Sequence, residues 1–364
     1  MLVDIIAGAR PNFMKIAPII KEIEKRRENG TKLNFRLIHT GQHYDRNMSG
    51  SFFEQLDIPD PDYNLEVGSG TQANQTGLIM TRYEKVLLKE ASDLCLVVGD
   101  VTSTMACAIT AKKQDIPVAH VEGGIRSEDR TMPEEINRLV TDSITDLFFT
   151  TSESANKNLR KEGIPDKQIF FVGNTMIDTL LKNMDRLMKP EIWDTEKLEK
   201  GMYMVMTLHR PSNVDEENQL KNLISEIVNS SQGYPIVFPV HPRTRKNMEK
   251  IGVNFESLIY TEPLSYLEFN YLVKHSKAVI TDSGGITEET TVMGIPCMTL
   301  RNTTERPETC QLGTNELLGI DPSAIHPAMK KLFSGNWKKG RIPEKWDGKA
   351  AQRIVNVLEE IAYY

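Results

Sequence analysis

Short runs of apolar, often β-branched residues alternate along this chain with longer segments of helical period. This alternation is typical of a parallel sheet whose strands are joined by helices lying on both faces. One series of predicted strands lies near residues 2–6, 33–39, 94–98, 117–121, 147–150 and 169–171. A second series begins after the polar segment 182–200 and lies near residues 202–207, 235–239, 257–260, 277–281 and 296–300. The sequence therefore predicts the α/β class, with two Rossmann-like doubly wound domains in tandem.

The charge balance limits the partners that the chain could have. It carries 44 basic and 50 acidic residues, a net charge of −6, so no lysine or arginine excess is available for a nucleic-acid or anionic-membrane surface. The N-terminus lacks the features of a signal peptide, and no apolar run approaches the about 18 residues of a membrane span. We expect a cytoplasmic protein without a membrane segment. The four cysteines lack CxxC spacing and predict buried thiols, and we assign no metal site.

The segment 281–289 reads TDSGGITEE and directly follows a predicted strand. Two glycines there would let a ligand approach the backbone, and the unpaired N–H groups of a first helical turn attract anions. A phosphate or diphosphate would fit, and Glu289 could accept hydrogen bonds from the two hydroxyls of an adjoining ribose. The alternative interpretation is an ordinary capped helix with an acidic first turn.

In parallel α/β sheets ligands bind beyond the carboxyl ends of the strands, so we expect functional residues in the turns that follow strands. After the first predicted strand, Arg10 and Lys15 supply two cations near a helix start. Asp100 follows another strand, where it could also be a simple helix cap. Glu122 ends a buried strand, where a carboxylate is costly unless it is paired, and we expect Arg126 or a ligand as its partner.

Three further turns carry charged side chains. Adjacent glutamates, Glu134 and Glu135, stand in a predicted first helical turn, where the helix dipole alone would favour them. His209 and Arg210 follow a strand of the second series and suit an anion, although a lone histidine is more often structural. Arg306 lies in the segment after the last predicted strand, at the same sheet edge as the glycine turn.

Taken together, the motifs resemble one family. GARPNFMKIAP, VVGDVTSTMA, HVEGGIRSEDRTMPEEINR, VGNTMID, LHRPSN, TDSGGITEE and RNTTERPE occur in this order between residue 5 and about residue 320. They are similar to the non-hydrolysing UDP-N-acetylglucosamine 2-epimerases. The resemblance implies two Rossmann-like domains in the glycosyltransferase-B arrangement, residues 1–172 and 173–348, with helix 349–364 joined to the first. It also implies an active site in the cleft between them, no metal or nicotinamide cofactor, and a homodimer.

The resemblance further implies a mechanism and a set of site residues. A carboxylate base removes the hydrogen at sugar C2 while UDP leaves C1, and UDP then adds back to the 2-acetamidoglucal as a proton reaches the opposite face. The catalytic residues implied are Asp100, Glu122, Glu134 and His209. The substrate-binding residues implied are Arg10, Lys15, Arg210, Ser283, Gly284, Gly285, Glu289 and Arg306.

Two departures from the family pattern leave two alternatives for the sugar of the substrate. Many members have HRREN where this chain has HRPSN at 209–213, and they differ around the turn at 40–48, which in bacterial members helps to hold an activating UDP-N-acetylglucosamine. The same variations occur in relatives that epimerise UDP-2,3-diacetamido-2,3-dideoxyglucuronic acid. A cation facing the C6 carboxylate of this sugar would favour it over UDP-N-acetylglucosamine. Arg126, Arg130 and Arg210 are candidates for that cation. A glycosyltransferase, a hydrolysing epimerase and a catalytically silent sensor are the remaining alternatives.

Overall fold

The structure, a computed structural model, describes residues 1–41, 53, 55–240, 245, 248, 252 and 255–362. The chain divides into two compact units. One is formed by Met1–Lys182 together with Glu344–Tyr364, and the other by Asn183–Pro343. Each unit contains one parallel sheet, as the alternating pattern predicts.

The sheet of the first unit has the strand order β3-β2-β1-β4-β5-β6-β7, with every pairing parallel. The chain starts in the middle of the sheet, winds to one edge, and returns to β4 beside β1. This reversal is a topological switch point, where α/β sheets bind ligands. The strands are β1 (Leu2–Ala7), β2 (Asn34–His39), β3 (Tyr63–Asn64), β4 (Leu94–Val98), β5 (Val118–Val121), β6 (Leu147–Thr150) and β7 (Ile169–Phe171).

Helices connect these strands and cover the sheet. In the described part of the first unit they are α1 (Arg10–Glu28), α2 (Gln72–Lys89), α3 (Thr102–Lys113), α4 (Pro133–Ser143), α5 (Glu153–Lys161) and α6 (Thr175–Asn183), with the terminal helix Ala350–Ala362. The apolar residues that recur at helical spacing in α1 are all buried against the sheet, as predicted. They are Phe13, Ile16, Ala17, Ile20 and Ile23.

The second unit repeats the same winding. Its strand order is β10-β9-β8-β11-β12-β13, again all parallel, with the switch point between β8 and β11. The strands are β8 (Met204–Thr207), β9 (Ile236–Pro239), β10 (Leu258–Thr261), β11 (Ala278–Thr281), β12 (Cys297–Thr299) and β13 (Asn315–Leu317). The helices are α7 (Glu191–Thr195), α8 (Pro211–Val214), α9 (Glu217–Ser230), α10 (Tyr266–His275), α11 (Gly284–Met293), α12 (Pro307–Gln311) and α13 (Ile325–Phe333), and we number the terminal helix Ala350–Ala362 as α14.

Two strands were missed by sequence reasoning, and both lie at sheet edges. β3 has only two residues and β13 only three, and neither is fully buried. A strand this short and half polar shows neither an apolar run nor a clear alternation, so it carries no periodic signal. Parallel pairing with the neighbouring strand defines both.

The first unit extends ten residues beyond the predicted boundary at 172, because α6 and α14 belong to it. Thr179 Oγ1 donates to the Met14 carbonyl of α1 (2.5 Å). The Asp178 carboxylate accepts hydrogen bonds from the backbone N–H groups of Ala350 (3.1 Å) and Ala351 (2.7 Å) at the start of α14. These hydrogen bonds attach α6 to α1 and α14 to α6.

Three of the four cysteines are buried thiols, the state predicted for them. Burial raises the pKa of Cys95 and Cys107, and it raises the pKa of Cys297 to about 12. Such thiols are poor nucleophiles, because the thiolate is the reactive form. None of the described helices is long and apolar enough to cross a lipid bilayer.

Candidate active site

Two strand ends of the first unit have a left-handed backbone. Gly99, after β4, has φ 69°, and Glu122, after β5, has φ 72°. A residue with a side chain rarely adopts this conformation, which costs on the order of 1 kcal/mol. The Glu122 amide donates to the Phe149 carbonyl (2.9 Å) and the Gly99 amide to the Val121 carbonyl (3.0 Å). The sheet therefore fixes this glutamate at its carboxyl edge.

Glu122 forms a buried ion pair with Lys15 of α1. Lys15 Nζ lies 2.7 Å from Glu122 Oε2, and both residues are buried. Of the expected partners, Arg126 or a ligand, Arg126 is wrong, because it lies 2.6 Å from Asp142 and 2.7 Å from Glu162. Two of the predicted site residues are thus brought together. An ion pair with so little solvent is a weak source of stability, so its burial points to a functional role.

The turn that carries Asp100 lies against this pair. A Cβ atom on Gly99 would be 3.2 Å from Lys15 Nζ and 3.7 Å from Glu122 Oε2, so a larger residue would crowd the pair. Asp100 does not cap a helix: Val101 occupies the cap position of α3, and no side-chain hydrogen bond is made there. The alternative interpretation of Asp100 as a helix cap is therefore wrong.

Asp100 is held by α4. Arg138 donates to Asp100 Oδ2 through Nη2 (2.5 Å) and Nε (3.1 Å), and Asn137 donates to the Asp100 carbonyl (2.8 Å). The Asp100 side chain remains 29% exposed, whereas Arg138 is buried. Sequence reasoning assigned no role to Arg138. The signal available was its position three residues after Glu135, on the same helix face.

The adjacent glutamates of α4 differ in their surroundings. Glu135 is buried and accepts hydrogen bonds from the Ser127 amide and hydroxyl (both 3.0 Å), the Glu128 amide (3.0 Å) and Arg138 Nη1 (2.5 Å). Burial opposes its ionisation, but these donors lower the pKa of Glu135 below its usual value. Glu135 therefore orders the preceding loop. Glu134, the predicted catalytic residue, is half-buried and has no hydrogen bond in the described part of the chain.

In the second unit, Asp282 organises the turn after β8. Its buried carboxylate accepts hydrogen bonds from the amides of His209 (3.0 Å) and Arg210 (2.9 Å) and from Asn213 Nδ2 (3.0 Å). His209 Nδ1 lies 2.7 Å from Asp282 Oδ1. Asp282 stands in the glycine turn next to Ser283, so this one side chain joins two predicted parts of the site. Asp282 stands in the TDSGGITEE segment, but its position in the sequence alone indicates no role for it.

The contact with Asp282 fixes the orientation of the His209 ring. Burial opposes ionisation of Asp282, but the His209 side chain and the donors around it lower the pKa of this carboxyl below its usual value. An ionised carboxylate only accepts hydrogen bonds, so His209 Nδ1 carries a proton. The ring is 59% exposed, and its second nitrogen, Nε2, is the one left to exchange a proton with a ligand.

The glycine turn forms as predicted, with Ser283 preceding α11. The Ser283 amide donates to Thr281 Oγ1 (3.0 Å), and the Ser283 side chain does not cap the helix. A Cβ on Gly284 would lie 2.6 Å from Glu305 Oε1, so a larger residue here would displace the end of the Glu305 side chain. Gly284 and Gly285 are both half-exposed, which leaves the start of α11 accessible.

Glu289 is buried within the second unit. It accepts hydrogen bonds from the Tyr266 hydroxyl (2.7 Å) and from Asn270 Nδ2 (3.4 Å), both on α10. Burial raises the pKa of Glu289 to about 7, although its two hydrogen bonds act in the opposite direction. Its predicted role as a ribose ligand is not tested by these contacts.

The arginines near the glycine turn differ in their ion-pair and hydrogen-bond partners. Arg306 is buried and forms an ion pair with Glu288, and Arg301 lies 2.6 Å from Glu305. Arg210 Nε is buried and has no hydrogen-bond partner in the described residues. The side chain of Arg10 lies outside the part of the chain that the structure describes, and so do residues 42–48 of the predicted turn at 40–48.

The profile of the UDP-N-acetylglucosamine 2-epimerase family matches residues 25–359. The chain belongs to this family. As a UDP-sugar 2-epimerase it is an isomerase, as predicted. The epimerase is 41% identical to the UDP-N-acetylglucosamine 2-epimerase of Methanocaldococcus jannaschii, over 98% of this chain and 99% of that one. It is also 40% identical to the UDP-2,3-diacetamido-2,3-dideoxy-D-glucuronate 2-epimerase of Pseudomonas aeruginosa, over 93% of this chain and 97% of that one.

Solved structures confirm the predicted fold class of two Rossmann-like α/β domains. The epimerase matches the M. jannaschii UDP-GlcNAc 2-epimerase in complex with UDP-GlcNAc and UDP with a TM-score of 0.88 and 41% identity, covering 99% of this chain and 100% of that one. It matches the Neisseria meningitidis UDP-GlcNAc 2-epimerase bound to UDP-GlcNAc with a TM-score of 0.89 and 30% identity, with the same coverage.

Proposed function

We propose that this epimerase interconverts UDP-N-acetylglucosamine and UDP-N-acetylmannosamine. The observation that carries the proposal is the buried Lys15–Glu122 pair beside the Asp100 turn, in a chain 41% identical over almost its full length to enzymes named for the first of these sugars. The proposed reaction needs acid and base groups at one carbon atom and a site that stabilises a diphosphate leaving group.

The proposed chemistry proceeds through elimination and re-addition. A carboxylate takes the proton from sugar C2, the C2–H electron pair forms the C1–C2 double bond, and the C1–O bond breaks with its electrons leaving on UDP. The product is 2-acetamidoglucal. An oxygen of UDP then attacks C1, while a second enzyme group, acting as an acid, protonates C2 from the opposite face. Asp100, Glu122 and Glu134 supply these groups, and Lys15 fixes Glu122 in place.

The second unit is proposed to bind UDP. The accessible start of α11, with Ser283, Gly284 and Gly285, receives the diphosphate, since helix N-termini favour anions. His209 is held by Asp282 with Nε2 available to exchange a proton with the leaving diphosphate oxygen. Arg210 adds positive charge, and its buried Nε has no hydrogen-bond partner among the described residues. Arg10, Glu289 and Arg306 complete the proposed set of UDP contacts.

An alternative substrate is UDP-2,3-diacetamido-2,3-dideoxyglucuronic acid. The observation in its favour is the 40% identity to the P. aeruginosa enzyme named for that sugar. Of the three cations considered for the C6 carboxylate, Arg126 is engaged by Asp142 and Glu162, whereas Arg130 is exposed and Arg210 has the buried Nε described above. Arg130 and Arg210 are therefore the candidates for recognising this sugar.

A comparison of kcat/KM for the two UDP-sugars tests the proposal. Proton NMR should show UDP-N-acetylglucosamine and UDP-N-acetylmannosamine approaching the same equilibrium mixture from either side. Conversion of the uronate alone would establish the alternative. Release of UDP and free N-acetylmannosamine would show hydrolysis and contradict the proposed re-addition step.

A further inference from the structure

His120 lies under the two turns that carry Asp100 and Glu122. It stands in β5, two residues before Glu122, and is completely buried. Its ring makes two close contacts, Nδ1 with Asp142 Oδ1 at 2.6 Å and Nε2 with the Gly99 carbonyl at 2.8 Å. Sequence reasoning gave this residue no role, and the proposed mechanism does not use it.

Both contacts of the ring are made with hydrogen-bond acceptors. The Gly99 carbonyl can only accept, so Nε2 carries a proton. Asp142 faces donors on its other oxygen, where the Gly124 amide lies at 2.9 Å and Arg126 Nη1 at 2.6 Å. These donors favour the carboxylate form of Asp142, which likewise can only accept. Nδ1 therefore carries a proton as well.

The charges around the ring agree with this assignment. Asp142 is buried, and Arg126 Nη1 at 2.6 Å and the Gly124 amide at 2.9 Å supply the counter-charge and the donor that keep it ionised. Arg126 is in turn paired with Glu162 at 2.7 Å. A doubly protonated His120 and Arg126 match the charges of Asp142 and Glu162, the two carboxylates that they contact.

We infer that His120 is a buried imidazolium that positions the two carboxylate-bearing turns. It donates from Nε2 to the Gly99 carbonyl, the peptide group that joins Gly99 to Asp100, and from Nδ1 to Asp142, which holds the Gly124 amide beyond Glu122. Loss of either proton would set a nitrogen lone pair against an acceptor at 2.6 or 2.8 Å and release one of the turns.

Gly123 shows how closely the second turn fits this contact. A Cβ atom there would lie 3.4 Å from both His120 Nδ1 and Asp142 Oδ1, and 2.9 Å from Phe148. The backbone after Glu122 thus passes directly over the His120–Asp142 hydrogen bond. His120 acts through the Gly99 carbonyl and Asp142, so it is a positioning residue, and its role in turnover rests on the proposed epimerase activity.

The protonation state can be measured without substrate. In the full-length protein labelled with ¹⁵N at the histidine ring nitrogens, the His120→Gln spectrum identifies the His120 signals among those of the seven histidines. At pH 7 both His120 nitrogens should resonate as protonated imidazolium nitrogens. A signal of the unprotonated, pyridine type for either nitrogen would overturn the inference. If His120→Gln does not fold, the Asp142→Asn spectrum identifies the ring, since that substitution changes its direct partner.

Asp142→Asn then tests the positioning role. An asparagine amide can donate to Nδ1, so His120 should become neutral with its proton on Nε2, and one nitrogen signal should move to the pyridine-type position. We expect kcat to fall on the order of 10- to 100-fold with KM little changed, because the carboxylates shift slightly from their places.

The matched control is Asp146→Asn, which alters the aspartate that accepts from the Val118 amide at the other end of β5. This variant should leave kcat within about twofold of the wild type, because Asp146 lies at the end of β5 opposite to Glu122. If Asp142→Asn also leaves kcat within twofold, His120 has no positioning role. The NMR result is independent of whether UDP-sugars are converted, so failure of the inference and of the proposed function can be told apart.

Discussion

Single residues of the proposed site are held by partners from distant parts of the chain. Lys15 and Glu122 are 107 positions apart, and the Asp282 carboxylate accepts from the His209 amide 73 positions away. Sequence reasoning singled out Asp100, Glu122 and His209 because they follow predicted strands, and the family resemblance added Glu134. It could not identify Arg138 or Asp282 as their partners, because such contacts depend on how elements pack and not on local spacing.

Glu122→Gln should lower kcat on the order of 10²- to 10⁴-fold, because a carboxamide cannot exchange the proton at sugar C2. The substitution also leaves Lys15 buried without its counter-charge, so the free energy of unfolding should fall by about 1 to 3 kcal/mol. Steady-state kinetics and urea unfolding measure both effects. Glu84→Gln, at an exposed position of α2, is the control. A kcat within tenfold of the wild type would remove Glu122 from the catalytic set.

Asp282→Asn should disorient His209 and lower kcat by about 10²-fold or more, since an aligned base depends on the group that holds its second nitrogen. The carboxyl of Asp282 has a lowered pKa, so its stabilising effect is full above the unfolded-state pKa of about 3.8 and is lost as pH falls further. The variant should therefore show a weaker loss of stability in acid than the wild type. Asp215→Asn, an exposed neighbour, is the control, and equal kcat for the two variants would contradict the account.

Among the elements, helix α11 is held in position by contacts at its start and by one buried side chain. Gly284 at its start fits closely against Glu305, and Glu289 anchors it to α10 through Tyr266 and Asn270. The prediction of a strand, a tight turn and a helix start is confirmed at this position. The packing of Glu289 against α10 could not be predicted, because nothing in the local sequence specifies which helix lies beside it.

The anchoring of α11 should depend on pH. The pKa of Glu289 is raised from 4.5 to about 7, so its protonated form is favoured in the folded state. The stability that this group contributes is full below about pH 4.5 and is lost as pH rises through 7. Between pH 5 and pH 8 the unfolding free energy of the wild type should fall by about 2 to 3 kcal/mol more than that of Glu289→Gln, as measured by urea unfolding. Parallel pH dependences for the two proteins would show that Glu289 is not buried as described.

At the scale of the whole molecule, the alternation of strands and helices predicted both parallel sheets because buried strands and amphipathic helices leave strong periodic signals. The short edge strands β3 and β13 left none. The end of the first unit was also placed too early, because α6 is attached by Thr179 and Asp178 to α1 and α14, contacts that join residues up to 173 positions apart.

The homodimer implied by the family resemblance stays a prediction. Sedimentation equilibrium of the purified protein should give twice the chain mass of 41.2 kDa. A monomer at concentrations well above those used for assays would contradict it.

The central claim is that the proton at sugar C2 leaves to the enzyme and is replaced as UDP returns to C1. The most direct measurement is ¹H NMR of UDP-N-acetylglucosamine incubated with the enzyme in D₂O. We predict deuterium at C2 of both UDP-N-acetylglucosamine and UDP-N-acetylmannosamine, with no lasting accumulation of UDP. Formation of the epimer with its original C2 hydrogen retained would contradict it.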